Sequence, residues 1–126
     1  MVHEEGEEMI LLPYPPSTNR YWRNFRGRMV ISAEGRAFKK EAAWLCAAGG
    51  LRQCQGDVEL QLVLHPKANK DGSASKTRMD LDNVLKACCD CLNGVAYEDD
   101  SQIVRIIAEI GSHRPAGGLS VNVRAA

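Results

Sequence analysis

The stretch Arg78-Met79-Asp80-Leu81-Asp82-Asn83-Val84-Leu85-Lys86 is the segment around which the rest of the chain can be arranged. It opens a series of apolar side chains at helical spacing, which are Leu81, Leu85, Cys88 and Leu92. This spacing predicts a helix of about three turns that ends at Asn93-Gly94. Asp82, Lys86 and Asp90 are four residues apart, so they share the polar face of the predicted helix.

Two further acidic residues flank the predicted helix. Asp80 lies just before it, where its carboxylate can cap free N–H groups or point the same way as Asp82. A helix from Asp82 to Asn93 is roughly 18 Å long, and an extended segment from Val95 to Asp100 runs back roughly 20 Å. We therefore expect Asp100 to return to the start of the helix.

Three carboxylates at one place predict a metal site. They repel one another unless a divalent cation or a proton lies between them, and oxygen-only ligands suit Mg²⁺ or Mn²⁺. Asp80, Asp82 and Asp100 are the candidate ligands. The alternative is a solvated helix face, in which Asp82 and Lys86 form an ordinary i,i+4 ion pair. Spacing alone leaves both interpretations open.

Length and composition bound the class of protein. The chain has 126 residues, which fits one domain with one core. Its 16 basic and 16 acidic residues cancel, so an anionic partner has to be held by a local patch. Residues 1–8 contain four glutamates and are expected to form a flexible acidic tail before a domain at 9–126. The absence of a signal-peptide pattern and of a membrane-spanning run predicts a cytoplasmic protein.

The five cysteines favour reduced thiols over a disulfide framework, because their number is odd and no export signal is recognised. Cys88 and Cys91 do form a C-x-x-C pair. They fall in the second half of the predicted helix, where the helix dipole disfavours a thiolate. We interpret the cysteines as small hydrophobic residues rather than as a zinc or redox site.

A basic patch is predicted in the front part of the chain. Four arginines fall within nine residues and alternate with aromatic side chains: Arg20, Tyr21, Trp22, Arg23, Arg26 and Arg28. Gly27 predicts a turn, so the segment is interpreted as a basic loop or hairpin. Arginine pairs bidentately with phosphate and aromatic rings stack on bases, which suits nucleic acid. In the alternative, Tyr21 and Trp22 belong to the core and the arginines are merely solvated.

Periodicity predicts the elements around this patch. Residues 9–12 are expected to form a short strand, and Ser32 to cap a helix that ends at Gly49-Gly50. Residues 58–64 alternate apolar and polar side chains, which predicts a strand with one face on the core. Residues 67–77 have loop composition and are long for a passive connection.

Two final strands complete the expected fold. Residues 103–110 are rich in β-branched side chains, and residues 119–124 alternate apolar with polar ones. Gly117-Gly118 predicts a turn between them, so we expect an antiparallel hairpin. The predicted class is α+β, a single domain with a small mixed sheet and two main helices.

Three groups of residues, taken in order, carry a resemblance to a known family. They are Pro15-Pro16-Ser17-x-Asn19-Arg20-Tyr21, then Asp80-x-Asp82-Asn83-x-x-Lys86-x-x-x-Asp90-x-Leu92-Asn93-Gly94, then Asp99-Asp100-x-Gln102-Ile103. The chain resembles the RusA family of Holliday junction resolvases over residues 11–124. One such group is a weak signal, but three at compatible spacings are specific.

The resemblance implies a small homodimeric endonuclease that depends on Mg²⁺, with Mn²⁺ as a substitute, and resolves four-way DNA junctions by paired nicks. Such proteins are bacterial and are often encoded by phages or prophages. The family's essential acids fall on Asp80, Asp82 and Asp100, and its essential lysine falls on Lys86. Where the family commonly has a basic residue directly before the first aspartate, this chain has Met79.

The remaining candidate residues are assigned by position and charge. We expect Asn83 and Asp90 to support the catalytic residues, although a plain surface position is an equal alternative for Asp90. The candidate DNA-binding residues are Asn19, Arg20, Arg23, Arg26, Arg28, Lys76 and Arg78. Two rival functions stay open, a junction-binding module that does not cut and a metal-dependent hydrolase of small phosphorylated molecules.

Overall fold

Residues 9–126, the part of the chain that the computed structural model describes, form two sheets and three α-helices. The strands are β1 (Ile10–Leu12), β2 (Trp22–Phe25), β3 (Arg28–Ile31), β4 (Val58–His65), β5 (Ile103–Ile110) and β6 (Gly118–Ala125). The helices are α1 (Thr18–Tyr21), α2 (Ala33–Ala48) and α3 (Leu81–Leu92). The α+β class with a mixed sheet is confirmed. The tail expected at residues 1–8 lies outside the described residues.

The main sheet has the strand order β1-β6-β4-β5. β4 pairs with β6 in antiparallel and with β5 in parallel orientation, and α3 lies in the connection from β4 to β5. The prediction that β5 and β6 form an antiparallel hairpin is therefore wrong. The connection between them crosses the end of β4 instead, where the Gly111 N–H donates to Leu64 O at 2.9 Å and the Arg114 N–H to Pro66 O at 2.9 Å.

β4 is buried on both faces, not on one as its alternating pattern predicted. Leu60, Leu62 and Leu64 are at most 1% exposed, yet Glu59 and Gln61 on the other face are only 5% and 3% exposed. Two arginines from the neighbouring strands compensate the buried charge of Glu59. Arg105 Nη1 lies 3.1 Å from Glu59 Oε1, and Arg124 Nη2 lies 2.9 Å from Glu59 Oε2. A central strand can keep a buried carboxylate when its neighbours pair with it in this way.

The two long helices and the leucine face of β4 share one core. Three of the five cysteines, Cys46, Cys88 and Cys91, are fully buried there, as expected for small hydrophobic residues. Burial raises the pKa of the Cys46 thiol to about 11. No helix among residues 9–126 is long and apolar enough to cross a membrane.

The start of α2 fixes the hairpin of β2 with β3. Ser32 is the N-cap, as predicted, and its Oγ accepts from the Gly35 N–H at 2.9 Å. The same hydroxyl donates to Arg20 O, and the Ser32 N–H donates to Tyr21 O at 2.9 Å. The hairpin base, meaning residues 20–22 and 31–32, is therefore fixed to the start of α2 by hydrogen bonds from Ser32 to the carbonyl oxygens of Arg20 and Tyr21.

Replacing Gly35 with alanine is expected to lower the free energy of unfolding by about 1–3 kcal/mol. At an exposed position inside a helix, a glycine-to-alanine change is instead expected to raise the free energy of unfolding by about 1 kcal/mol. Here the added Cβ would lie 2.5 Å from Tyr21 O and 2.8 Å from Ile31 Cγ1, so backbone atoms of the hairpin base have to move. Urea denaturation measures the effect.

Gly49→Ala is the matched control for this prediction. Its added Cβ would lie 3.1 Å from the flexible side chain of Ile10, and the φ of Gly49 is −81°. Its expected effect is within about 1 kcal/mol, because that side chain can shift. Equal stabilities of the Gly35→Ala variant and the wild type would contradict the anchoring of the hairpin.

Candidate active site

The predicted catalytic helix begins with two exposed carboxylates. The carbonyl oxygen of Asp80 accepts the N–H groups of Asn83 and Val84 at 3.1 and 3.0 Å, which makes Asp80 the N-cap of α3 by its backbone. Its side chain makes no capping hydrogen bond. Asp82 lies in the first turn, and both side chains are exposed. The capping alternative for the Asp80 carboxylate is therefore not realised, and its oxygens point to solvent-accessible space.

Lys86 lies one turn after Asp82 and is also exposed. Its Nζ is 5.6 Å from the centroid of the ring of Trp22, and Trp22 is the first residue of β2. A cation over an indole face is attracted by the ring quadrupole, which restrains the long lysine side chain. The predicted catalytic lysine is thus held against the base of the basic hairpin.

Asp100 lies in a short 3₁₀ helix, Asp100–Gln102, that leads into β5. Asp99 caps this helix by accepting from the Ser101 N–H at 2.9 Å. Gln102 Oε1 accepts from the N–H groups of Glu98 and Asp99, and Gln102 Nε2 donates to Cys54 O and Gly56 O at 3.1 and 2.8 Å. Asp99 therefore has a structural role, while Gln102 fixes the turn that presents the exposed Asp100 side chain.

The path to Asp100 differs from the extended return that the sequence predicted. A tight turn follows α3, in which the Gly94 N–H donates to Tyr97 O at 2.8 Å and the Val95 N–H to Leu92 O at 3.0 Å. Burial, and next the nearby charge of Asp100, raise the pKa of the Cys89 thiol to about 11. The chain therefore reaches Asp100 through a tight turn and the Asp100–Gln102 3₁₀ helix, and not through an extended segment.

The described residues contain no group of three or more His, Cys, Asp or Glu side chains arranged so that they could hold a metal ion. Asp80, Asp82 and Asp100 are therefore not a preformed cage in this structure. Their donor chemistry still fits a hard divalent cation, because all three offer exposed carboxylate oxygens. Their assignment as ligands stays a prediction.

Asp90 has a different set of contacts from the acids at the helix start. Its Oδ2 accepts a 2.6 Å hydrogen bond from Tyr21 Oη and lies 4.0 Å from Lys39 Nζ. Tyr21 is fully buried, and burial together with the neighbouring Asp90 raises its pKa. Tyr21 therefore belongs to the core, and Asp90 joins the hairpin base to α3.

A cleft of about 1040 Å³ opens beside Asp80 and Asn83. Its walls come from the segment before α1, the first half of α2 and the connection that leads to α3. Tyr14 crosses between two of these walls, since its Oη accepts from the Met79 N–H at 2.9 Å and its ring lies 5.0 Å from Lys67 Nζ. Asn19, Arg20 and Arg78 also line the cleft, so three of the predicted DNA-binding residues meet next to Asp80.

The other predicted DNA-binding residues lie on exposed surface. Arg23, Arg26 and Arg28 surround the tip of the hairpin, and Lys76 is in the segment before α3. None of the hairpin arginines has a carboxylate partner within 4.0 Å among residues 9–126. Sequence reasoning missed one residue of this region, Phe25 at the tip, and one contact, that of Trp22 with Lys86.

Comparisons with known proteins identify the family of the chain. The family model described as Endodeoxyribonuclease RusA matches residues 13–124. A protein of Enterobacteria phage HK97 named crossover junction endodeoxyribonuclease is 34% identical over 119 residues, 94% of each chain. Proteins of the same name from Enterobacteria phage 82 and Escherichia coli are 38% and 35% identical over 96 residues, 75% of each chain. The chain therefore belongs to the RusA family of endodeoxyribonucleases.

Proposed function

We propose that this protein is a structure-selective endodeoxyribonuclease that resolves four-way DNA junctions by paired, Mg²⁺-dependent hydrolysis of phosphodiester bonds. The observation that carries the proposal is the contact of Lys86 with the hairpin base, which brings the acidic start of α3 and the basic hairpin together. Membership of a family whose relatives are named for junction cleavage supports the same reaction. The protein acts on DNA in the cytoplasm of a bacterium.

Asp80, Asp82 and Asp100 would hold the metal ion, with Mn²⁺ as a substitute for Mg²⁺. A bound divalent cation supplies positive charge that activates water and offsets the charge developing on the scissile phosphate. Lys86 supplies further positive charge to the same phosphate, and its contact with Trp22 limits the positions of its ammonium group. Asn83 lines the cleft beside Asp80 and contributes an amide to this end of the site.

A homodimer explains how a chain of 126 residues makes two cuts. Two copies related by a twofold axis present two equivalent sites. A four-way junction in its symmetric form offers two equivalent strands to such a pair. The proposed oligomer is therefore a twofold-symmetric dimer with one catalytic site in each copy.

The decisive experiment compares cleavage of a synthetic four-way junction with cleavage of linear duplex of the same sequence, with and without Mg²⁺. We expect paired nicks in the junction only when Mg²⁺ is present. Binding of the junction without cleavage in Mg²⁺ or Mn²⁺ would instead identify a binding module. Hydrolysis of free nucleotides in place of the junction would identify a hydrolase of small phosphorylated molecules.

Arg23→Ala is expected to weaken junction binding about fivefold at 150 mM salt and to reduce the dependence of log affinity on log salt by about one unit. Arg23 is exposed on β2 and has no carboxylate partner among the described residues, so it is available to a phosphate. Gel-shift titrations at several salt concentrations measure both quantities. Arg52→Ala, which replaces an exposed arginine after α2, is the control. If Arg23→Ala had the same salt dependence as the wild type, Arg23 would be a solvated surface residue without a DNA contact.

A further inference from the structure

The tip of the hairpin exposes an aromatic ring between two cations. Phe25, the last residue of β2, is 46% exposed. The guanidinium carbons of Arg23 and Arg26 each lie 5.2 Å from the centroid of its ring. Residues 20–33 contain no acidic side chain, so both cations rest on the ring and not on a local carboxylate. A surface of one aromatic ring and several guanidinium groups matches the bases and phosphates of nucleic acid.

The backbone of the tip is tightly defined. Arg26 has φ +53° and Gly27 has φ +77°, which is the conformation of the two central residues in a two-residue hairpin turn. The Gly27 N–H donates to Asn24 Oδ1 at 3.1 Å. Arginine is disfavoured at positive φ, and residues held this way concentrate at functional sites. The turn presents Phe25 at a fixed position on the strand end.

The base of the hairpin is equally well fixed. Tyr21 is bonded to Asp90 of α3, and Trp22 contacts Lys86. The ring of Tyr21 also packs 4.9 Å from the ring of Trp22. Phe25 is three residues beyond Trp22, about 10 Å along an extended strand, and its ring projects from the opposite face of the ribbon because successive strand residues alternate faces. The tip of the hairpin therefore lies within a few base steps of Lys86, since duplex DNA rises about 3.4 Å per step.

We propose that Phe25 stacks on an unpaired base at the branch point of the DNA, within a few nucleotides of the phosphate held at Lys86. This inference rests on the proposed function, since it places the cleaved phosphate at Lys86. When the base stacks on the ring, the guanidinium groups of Arg23 and Arg26 move from the ring face to the flanking phosphates. Linear duplex keeps its bases stacked and paired, so the contact favours branched DNA over linear DNA.

The test uses the full-length protein and junctions that carry 2-aminopurine one to five nucleotides from the cut site, without divalent metal. With the wild type, we expect a fluorescence change at one of these positions, where the base leaves its neighbours and stacks on the ring. Phe25→Leu keeps an apolar side chain of similar size but removes the ring. It is expected to abolish that change and to lower junction affinity about tenfold, with duplex affinity unchanged. Phe25→Trp is expected to restore both.

Met29→Leu is the control, because Met29 is 63% exposed on the same hairpin and faces the other side of the ribbon. It is expected to leave fluorescence and affinity unchanged. An unchanged fluorescence signal and affinity ratio in Phe25→Leu would overturn the proposal. So would a change in the oligomeric state of that variant, which would show that Phe25 contacts a second copy of the chain. Stacking is measured by fluorescence without Mg²⁺, and cleavage is measured with Mg²⁺. A failure of the proposed nuclease function is therefore distinguishable from a failure of the proposed stacking.

Discussion

Asp82→Asn is expected to lower the rate of Mg²⁺-dependent nicking of a synthetic junction at least about 100-fold. The substitution keeps the size of the side chain and removes its negative charge, so the proposed metal ligand is lost without a large change in packing. Asp82 is exposed, which leaves the free energy of unfolding nearly unchanged. Single-turnover cleavage measures the rate, and gel-shift titration without metal is expected to give an affinity within about threefold of the wild type.

Asp57→Asn, an exposed carboxylate before β4, is the control for charge alone and is expected to cleave at the wild-type rate. A metal-binding measurement adds a readout that does not depend on activity. Titration calorimetry with Mn²⁺ is expected to show binding to the wild type and to the Asp57 variant and much weaker binding to the Asp82 variant. Wild-type cleavage by Asp82→Asn would remove that residue from the proposed metal site.

Lys86→Met is expected to reduce the rate of cleavage about 100-fold while junction affinity changes less than about threefold. Methionine keeps most of the length and apolar character of the lysine stem and removes the charge that is proposed to act on the phosphate. A role in binding alone would instead lower affinity and leave the rate at saturating protein unchanged. Single-turnover rates at several protein concentrations separate the two effects.

A control variant and a fluorescence measurement test the interpretation of Lys86→Met. Lys40→Met removes an exposed lysine from α2 and is expected to cleave normally. Trp22 emission reports whether the local structure survives, and a Trp44→Phe background isolates it, because Trp44 is 70% exposed and would otherwise contribute. Emission of Trp22 is expected to change with the loss of the neighbouring cation, while the urea midpoint stays close to that of the parent. Full activity of Lys86→Met would contradict the proposed role.

Local signals predicted most of the elements correctly. Ser32 and the apolar period after it predicted α2, and the period from Leu81 to Leu92 predicted α3 to within one residue. These features are decided by hydrogen bonds and side-chain spacing inside a short window, so the sequence contains them directly. The short helix α1 was missed, because four residues carry too little period to be recognised.

Strand order could not be read in the same way. The turn residues between β5 and β6 suggested a hairpin, but β4 lies between these strands. The choice depends on which strand buries most apolar surface at the centre, and on the compensation of Glu59 by Arg105 and Arg124. Those pairs are 46 and 65 residues apart in sequence, so no local pattern reveals them.

In the candidate site, too, local features were predicted and long-range contacts were not. Charge and spacing identified Asp80, Asp82 and Lys86 on one helix, and the structure places all three on exposed surface. Spacing could not decide between the binding and core interpretations of Tyr21, which the hydrogen bond to Asp90 settles in favour of the core. Nor could it distinguish Phe25, whose exposure depends on the twist and turn of the hairpin.

The parallel pairing of β4 with β5 has an evolutionary consequence. Asp80, Asp82, Lys86 and Asp100 all belong to the single excursion of the chain between these two neighbouring strands. The hairpin that carries Arg23 and Phe25 comes from a separate, earlier part of the chain. Changes at the hairpin tip, where the proposed base contact lies, can therefore arise without changing the proposed catalytic segment, provided that the bond between Tyr21 and Asp90 is kept.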